Sequence, residues 1–150
     1  MNKKFVNDPE NIVDEVMEGL AACFPQYIVK HPEVHGIISR HPRKDKVTVV
    51  IGGGSGHEPT FSGFGGRGLA DASANGNIFA SPDPATIYKT AKAAYGGKAV
   101  LFMYGNYAGD NFNFDMAEDM LREDGIECAH CRTMDDCASA PKERFTDRRG

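Results

Sequence analysis

A run of glycines ending in an imidazole is the first feature of this sequence that could do chemistry: Gly52-Gly53-Gly54-Ser55-Gly56-His57-Glu58-Pro59. Without side chains at 52, 53, 54 and 56, backbone N–H groups can approach a polar ligand closely, and His57 follows at the mouth of the turn. Two further turns carry compatible groups. Ser81-Pro82-Asp83-Pro84 offers a hydroxyl, and Gly105-Asn106-Tyr107-Ala108-Gly109-Asp110 ends in a carboxylate. An Asp110 facing the loop from Gly54 to His57 would accept a hydrogen bond from a substrate hydroxyl and withdraw its proton during a transfer reaction. Each residue also has a plainer use. The glycines suit a tight strand-to-helix turn with Ser55 and Glu58 as a capping box, Asp110 suits a helix N-cap, and Ser81 suits a turn or cap.

Several familiar chemistries do not fit. A nucleotide P-loop needs Lys-Ser or Lys-Thr after its last glycine, and His57-Glu58 stands there instead. Gly63-Phe64-Gly65-Gly66-Arg67-Gly68 matches G-x-G-x-x-G but follows a predicted helical segment rather than a strand, so it is a decoy. Cys128-Ala129-His130-Cys131 has C-x-x-C spacing, yet on a strand its cysteines point to opposite faces and no second ligand pair accompanies them. His31, His35 and His41 are irregularly spaced and read as solvent-facing or capping residues. No metal site is expected.

The elements that must position these turns follow from periodicity. Asp8-Pro9 opens an amphipathic helix with Ile12, Val16, Leu20 and Cys23 on one stripe. Phe24 to Lys44, broken by three prolines and Gly36, reads as a long connection. Lys46 to Ile51 is a β-branched run suited to a central strand buried on both faces. A short helical segment near Glu58 to Phe64, a strand at Asn77 to Ala80, and a helix using Ile87, Ala91 and Ala94 come next. Ala99 to Met103 is a further strand, Phe112, Met116 and Met120 mark another helix, and Ile126 to Thr133 a last strand. This alternation predicts one α/β domain over residues 1–150, a mostly parallel sheet with helices on both faces.

Composition agrees. The 150 residues are 41% hydrophobic and 25% charged, ordinary for a globular chain, and the net charge of -4 gives no cationic footprint for nucleic acid. No apolar stretch reaches the length of a membrane span, and acids at 8, 10, 14 and 15 interrupt any secretory signal, so a cytoplasmic protein with free cysteines is expected.

Three stretches together, IGGGSGHEPTFSGFGGRGLADA, GNIFASPDPATIY and GNYAGDNFNFDMAEDML, resemble the N-terminal part of the substrate-binding subunit of the dihydroxyacetone kinase family. The resemblance runs from Phe5 through most of the chain. It implies an α/β fold, a homodimer, and phosphoryl transfer to a hydroxyl of dihydroxyacetone or a related short-chain ketose. It further implies substrate contacts at Gly53, Gly54, Ser81, Gly105 and Asp110, with acid/base roles for His57 and Asp110. No cofactor would bind this chain itself: the phosphate would come from ATP with magnesium, or from a phosphohistidine carrier, on a separate domain or subunit.

Two departures bear on this. Gly105 replaces the family's usual lysine and Ala108 its threonine, which resembles a branch acting on other ketoses, including four-carbon erythrulose-like sugars. Family chains also continue well past this length, and their histidine that forms a hemiaminal with the substrate carbonyl lies in that further part. A ketose-binding regulatory relative without catalysis, or an inactive fragment, are the alternative readings.

Overall fold

The computed structural model describes residues 4–150. Asp8 accepts a hydrogen bond from the Glu10 amide at 3.0 Å and opens a 3-10 turn, Pro9–Asn11, that leads into helix α1 (Ile12–Cys23). Strands β1 (Ile28–Lys30), β2 (Gly36–Ser39), β3 (Lys46–Ser55) and β4 (Ala72–Ile78) follow. Helix α2 (Pro84–Ala94), β5 (Gly97–Gly105), α3 (Ala108–Glu123) and β6 (Glu127–Thr133) complete the regular core. The strands form one sheet in the order β1-β2-β4-β3-β5-β6. Neighbours from β4 to β6 are parallel, while β1 and β2 join antiparallel at one edge. The α/β class and the mostly parallel sheet are as expected.

The β-branched run of β3 places Thr48 and Val50 toward the helices. Val50, Val100, Phe102 and Tyr104 from the sheet pack there with Ile87 and Ala91 of α2 and Phe114 and Leu121 of α3. A side chain of this kind contributes about 1.5–3 kcal/mol when fully removed from water, so this cluster is the main stabilising unit. Helix α1 lies on the other face at the antiparallel edge, where Val13 and Met17 meet Ile28 and Ile37. The chain leaves β3 for β4 on one side and returns through α2 to β5 on the other side. The strand order therefore reverses at the carboxyl end of β3, the place where a parallel sheet opens a ligand crevice.

Five local expectations are corrected. The connection from Phe24 to Lys44 contains β1 and β2, short strands that cover the edge of β4 and whose prolines fall outside the paired residues. The strand expected at Asn77 to Ala80 lies earlier, at Ala72–Ile78, because Ala72, Ser73 and Ala74 are small enough to be sandwiched completely. Glu58 to Phe64 forms turns and a single 3-10 turn, Ser62–Phe64, rather than a helix. The buried stripe of α1 is Val13 and Met17, with Val16 outside, and that of α3 is Phe114, Ala117 and Leu121, with Phe112 66% exposed. The 3.6-residue period was right in both helices, but each carries two apolar stripes and the sheet selects one. Finally, β3 is central without being buried on both faces, since Val47 is 43% exposed on the face away from α2 and α3.

Candidate active site at the carboxyl end of the central strand

The glycine run does not form an open bed of amides. Gly52, Gly53 and Gly54 still belong to β3 and pair with Ala74, Asn75 and Gly76 of β4. What the missing side chains permit is close approach: a Cβ on Gly54 would lie 2.8 Å from the Ala80 nitrogen, and one on Gly53 would run into the Phe61 ring. The capping box is also not formed. Ser55 Oγ donates instead to the Gly76 carbonyl at 2.7 Å, and the Glu58 carboxylate accepts from the Gly56 amide at 2.9 Å. These bonds pin the loop so that His57 projects from the end of β3.

Asp110 is not a helix N-cap either. That position is Tyr107, which makes no side-chain capping bond, and Asp110 sits in the first turn of α3, only 7% exposed. Its Oδ1 has no hydrogen-bond partner. Burial pushes its carboxyl above the usual carboxylate range, and the nearby Ser81 hydroxyl and His57 imidazole pull the other way. Ser81 Oγ makes one long bond, 3.4 Å, to the Pro82 carbonyl. A neighbouring Asp83 caps α2 by accepting from the Thr86 amide at 3.0 Å, which fixes the Ser81 turn against the helix.

These groups meet. Gly54, His57, Ser81 and Asp110 line one cavity of about 340 Å³, walled by the rings of Phe61, Phe79 and Tyr107. Two of the expected substrate-contacting residues are not in its wall. Gly53 lies beneath the Phe61 ring, and Gly105 lies against the ring of Tyr107, which a Cβ at 105 would approach to 3.0 Å. The three aromatic wall residues were not singled out from sequence. Isolated aromatics beside turn residues carry no periodic signal, and the left-handed backbone of Phe61 (φ 66°) and Phe79 (φ 54°) is invisible in a sequence.

A larger cavity, about 490 Å³, shares the wall at Ala80 and Ser81. Its charged groups already satisfy one another: Lys30 pairs with Asp14 at 2.8 Å and Glu18 at 3.3 Å, and His35 reaches the other oxygen of Asp14. The smaller cavity alone of the two holds an unpaired buried acceptor, and the candidate site is placed there. Elsewhere, Asp115, Glu118 and His130 approach one another closely, but Arg132 binds Asp115 and Arg122 binds Glu118, so cations already occupy this cluster. All four cysteines are free; Cys128, on β6, is pushed up to about 11 by burial, which suits an inert thiol. Among the described residues no helix is long and apolar enough to cross a membrane.

Comparisons with known proteins place the chain in a family. The chain is 41% identical over 150 residues to the dihydroxyacetone-binding subunit DhaK of PTS-dependent dihydroxyacetone kinase 2 from Listeria innocua, covering 99% of this chain and 45% of that protein. It is 42% identical over 148 residues to D-erythrulose kinase from Mycolicibacterium smegmatis, covering 98% of this chain and 25% of that protein. The crystal structure of the dihydroxyacetone kinase of C. freundii superimposes on the whole chain with a TM-score of 0.91 at 30% identity, using 28% of that larger chain. The chain thus spans less than half the length of these relatives. The Dak1 domain model matches residues 18–150, which takes in every wall of the cavity, and the chain belongs to the Dak1 domain family.

Proposed function

We propose that this chain is the ketose-binding part of a dihydroxyacetone-kinase-type phosphotransferase, acting on a hydroxyl of dihydroxyacetone or a related short-chain ketose. One observation carries the reading: a carboxylate buried in the cavity wall, with Oδ1 unpartnered, shares that cavity with an imidazole. A ligand hydroxyl donating to Oδ1 supplies the missing hydrogen bond, which removes the cost of a buried unpaired acceptor, about 1–3 kcal/mol. The same contact orients the hydroxyl for reaction.

In the transfer, the hydroxyl oxygen attacks the phosphorus of the donor while its proton passes to Asp110. The bond from phosphorus to the donor breaks, and the proton later leaves Asp110 to solvent. Burial raises the basicity of Asp110, which favours this role, and His57 orients the polyol and offsets developing charge. The donor belongs to a separate domain or subunit, as ATP with magnesium or a phosphohistidine carrier. The likeness to an erythrulose kinase supports four-carbon ketoses among the substrates. We further infer a cytoplasmic homodimer.

The test supplies the remainder of the subunit and a donor, and measures ketose phosphorylation by the wild type, His57→Ala and Asp110→Asn. Loss of turnover in both supports the reading; normal turnover in both ends it.

A further inference from the structure

Four of the five histidines are oriented by a hydrogen bond to a ring nitrogen: His31 by the Glu33 amide, His35 by Asp14, His41 by the Gln26 carbonyl and His130 by Glu118. The imidazole of His57 has no such partner among the described residues. Two phenylalanine rings meet it instead. Phe79 approaches edge-on with centroids 5.1 Å apart at 69°, and Phe61 stands at 6.4 Å and 90°. Both separations and both angles are those in which aromatic rings attract edge to face.

The backbone around these rings is shaped to hold them there. Phe61 and Phe79 are two of only three non-glycine residues with positive φ among the described residues, at 66° and 54°. Such conformations persist only where the surroundings enforce them, and they gather at functional sites. The glycine positions beneath the rings are equally restrictive. Any Cβ on Gly53 would meet the Phe61 ring, and one on Gly56, itself at φ 97°, would come within 2.9 Å of Phe79. Phe79 is also 70% exposed, an expensive location for a large apolar ring that adds little to the core. Hence the glycines that looked like a bed for a ligand seat two aromatic rings.

We propose that Phe79, assisted by Phe61, is a positioning residue that holds the His57 imidazole toward Asp110 in place of a hydrogen-bonded orienting group. Its catalytic consequence rests on the function proposed above. Phe79 touches the imidazole and acts through it. An imidazole freed to rotate would lose alignment with the bound hydroxyl, and misplacement of about 1 Å costs on the order of a hundredfold in rate.

The decisive experiment measures the three-bond couplings that report the His57 χ1 rotamer, by NMR on the full 150-residue chain. Wild type and Phe79→Tyr are expected to show one rotamer, whereas Phe79→Leu shows averaging at an almost unchanged melting temperature. A single fixed rotamer in Phe79→Leu overturns the proposal. Should that variant fail to fold, Phe61→Leu carries the same test, with partial averaging expected and an unchanged rotamer overturning it. In the assembled kinase, Phe79→Leu should lower kcat tenfold or more with KM within about twofold, and Phe79→Tyr should restore it. A mobile imidazole with undiminished kcat would leave the positioning role standing and remove instead the role of His57 in orienting the polyol and offsetting charge.

Discussion

Two carboxylates on either side of the Ser81 wall are driven in opposite directions. Asp14, at the rim of the larger cavity, is held below the usual carboxylate range chiefly by the hydrogen bond from Lys30, with His35 adding to it. Asp110, in the smaller cavity, is held above that range by burial. The larger cavity is the more charged, but its charges are consumed by one another. The smaller one keeps an acceptor unpaired, at a cost to the fold that a ligand can remove. Volume and charge count favour the larger cavity, whereas the state of satisfaction favours the smaller one, on which the proposed function rests.

The sharpest way to break this contrast is to neutralise each acid in turn. With the remainder of the subunit and a donor supplied, the proposed general-base role of Asp110 predicts that Asp110→Asn lowers kcat by about two to four orders of magnitude while Asp14→Asn leaves it within about twofold. Comparable losses from both would end the distinction. Next comes the packing that holds Asp110 in place. Phe114 lies one helical turn beyond it, stacked on Tyr104 at 4.1 Å and edge-on to Phe102 at 5.3 Å. Phe114→Ala should therefore destabilise by about 3–5 kcal/mol in chemical denaturation, and a loss under 1 would mean that α3 is anchored elsewhere.

Stability against pH sharpens the contrast with smaller effects of opposite sign. A carboxyl raised in the folded state makes the fold bind more protons than the unfolded chain. The contribution of Asp110 therefore becomes unfavourable as pH climbs above its ordinary value near 3.8 and stays so at neutrality. Asp110→Asn should raise the melting temperature at pH 7 by about 2–4 °C for each kcal/mol relieved, and the gain should vanish below pH 4. Asp14 has the reverse sign. Its lowered carboxyl stabilises above its ordinary value of 3.8 and loses that contribution as pH falls through the depressed folded value. Because Asp14 is half exposed, solvent screening limits the loss in Asp14→Asn at pH 7 to under about 1 kcal/mol. Calorimetry on the two variants across pH 3–7 measures both, and matching signs would show that the burial of Asp110 has been misread.

Much of this was legible beforehand where a local pattern has a single solution. The continuous run from Lys46 to Ile51 as a strand, and the Ile87, Ala91 and Ala94 stripe as the buried face of α2, each had one reading. Patterns with two solutions were not legible. Phe112, Met116 and Met120 make as good a stripe as Phe114, Ala117 and Leu121, and only contact with β5 and β6 decides between them. The connection from Phe24 to Lys44 failed for a related reason: strands of three and four residues carry too few positions for alternation to show.

The sequence by itself determined which turns carry the reactive groups, because a glycine run, an imidazole and an acid beside strand ends are local facts of covalent chemistry. Tertiary structure decided how those groups are arranged. That β3 ends between β4 and β5, that Asp110 is buried in the cavity wall with Oδ1 unpartnered, and that Gly53 and Gly56 accommodate Phe61 and Phe79 all depend on residues distant along the chain. Burial and orientation arise only when such residues are packed together, and no local pattern encodes them.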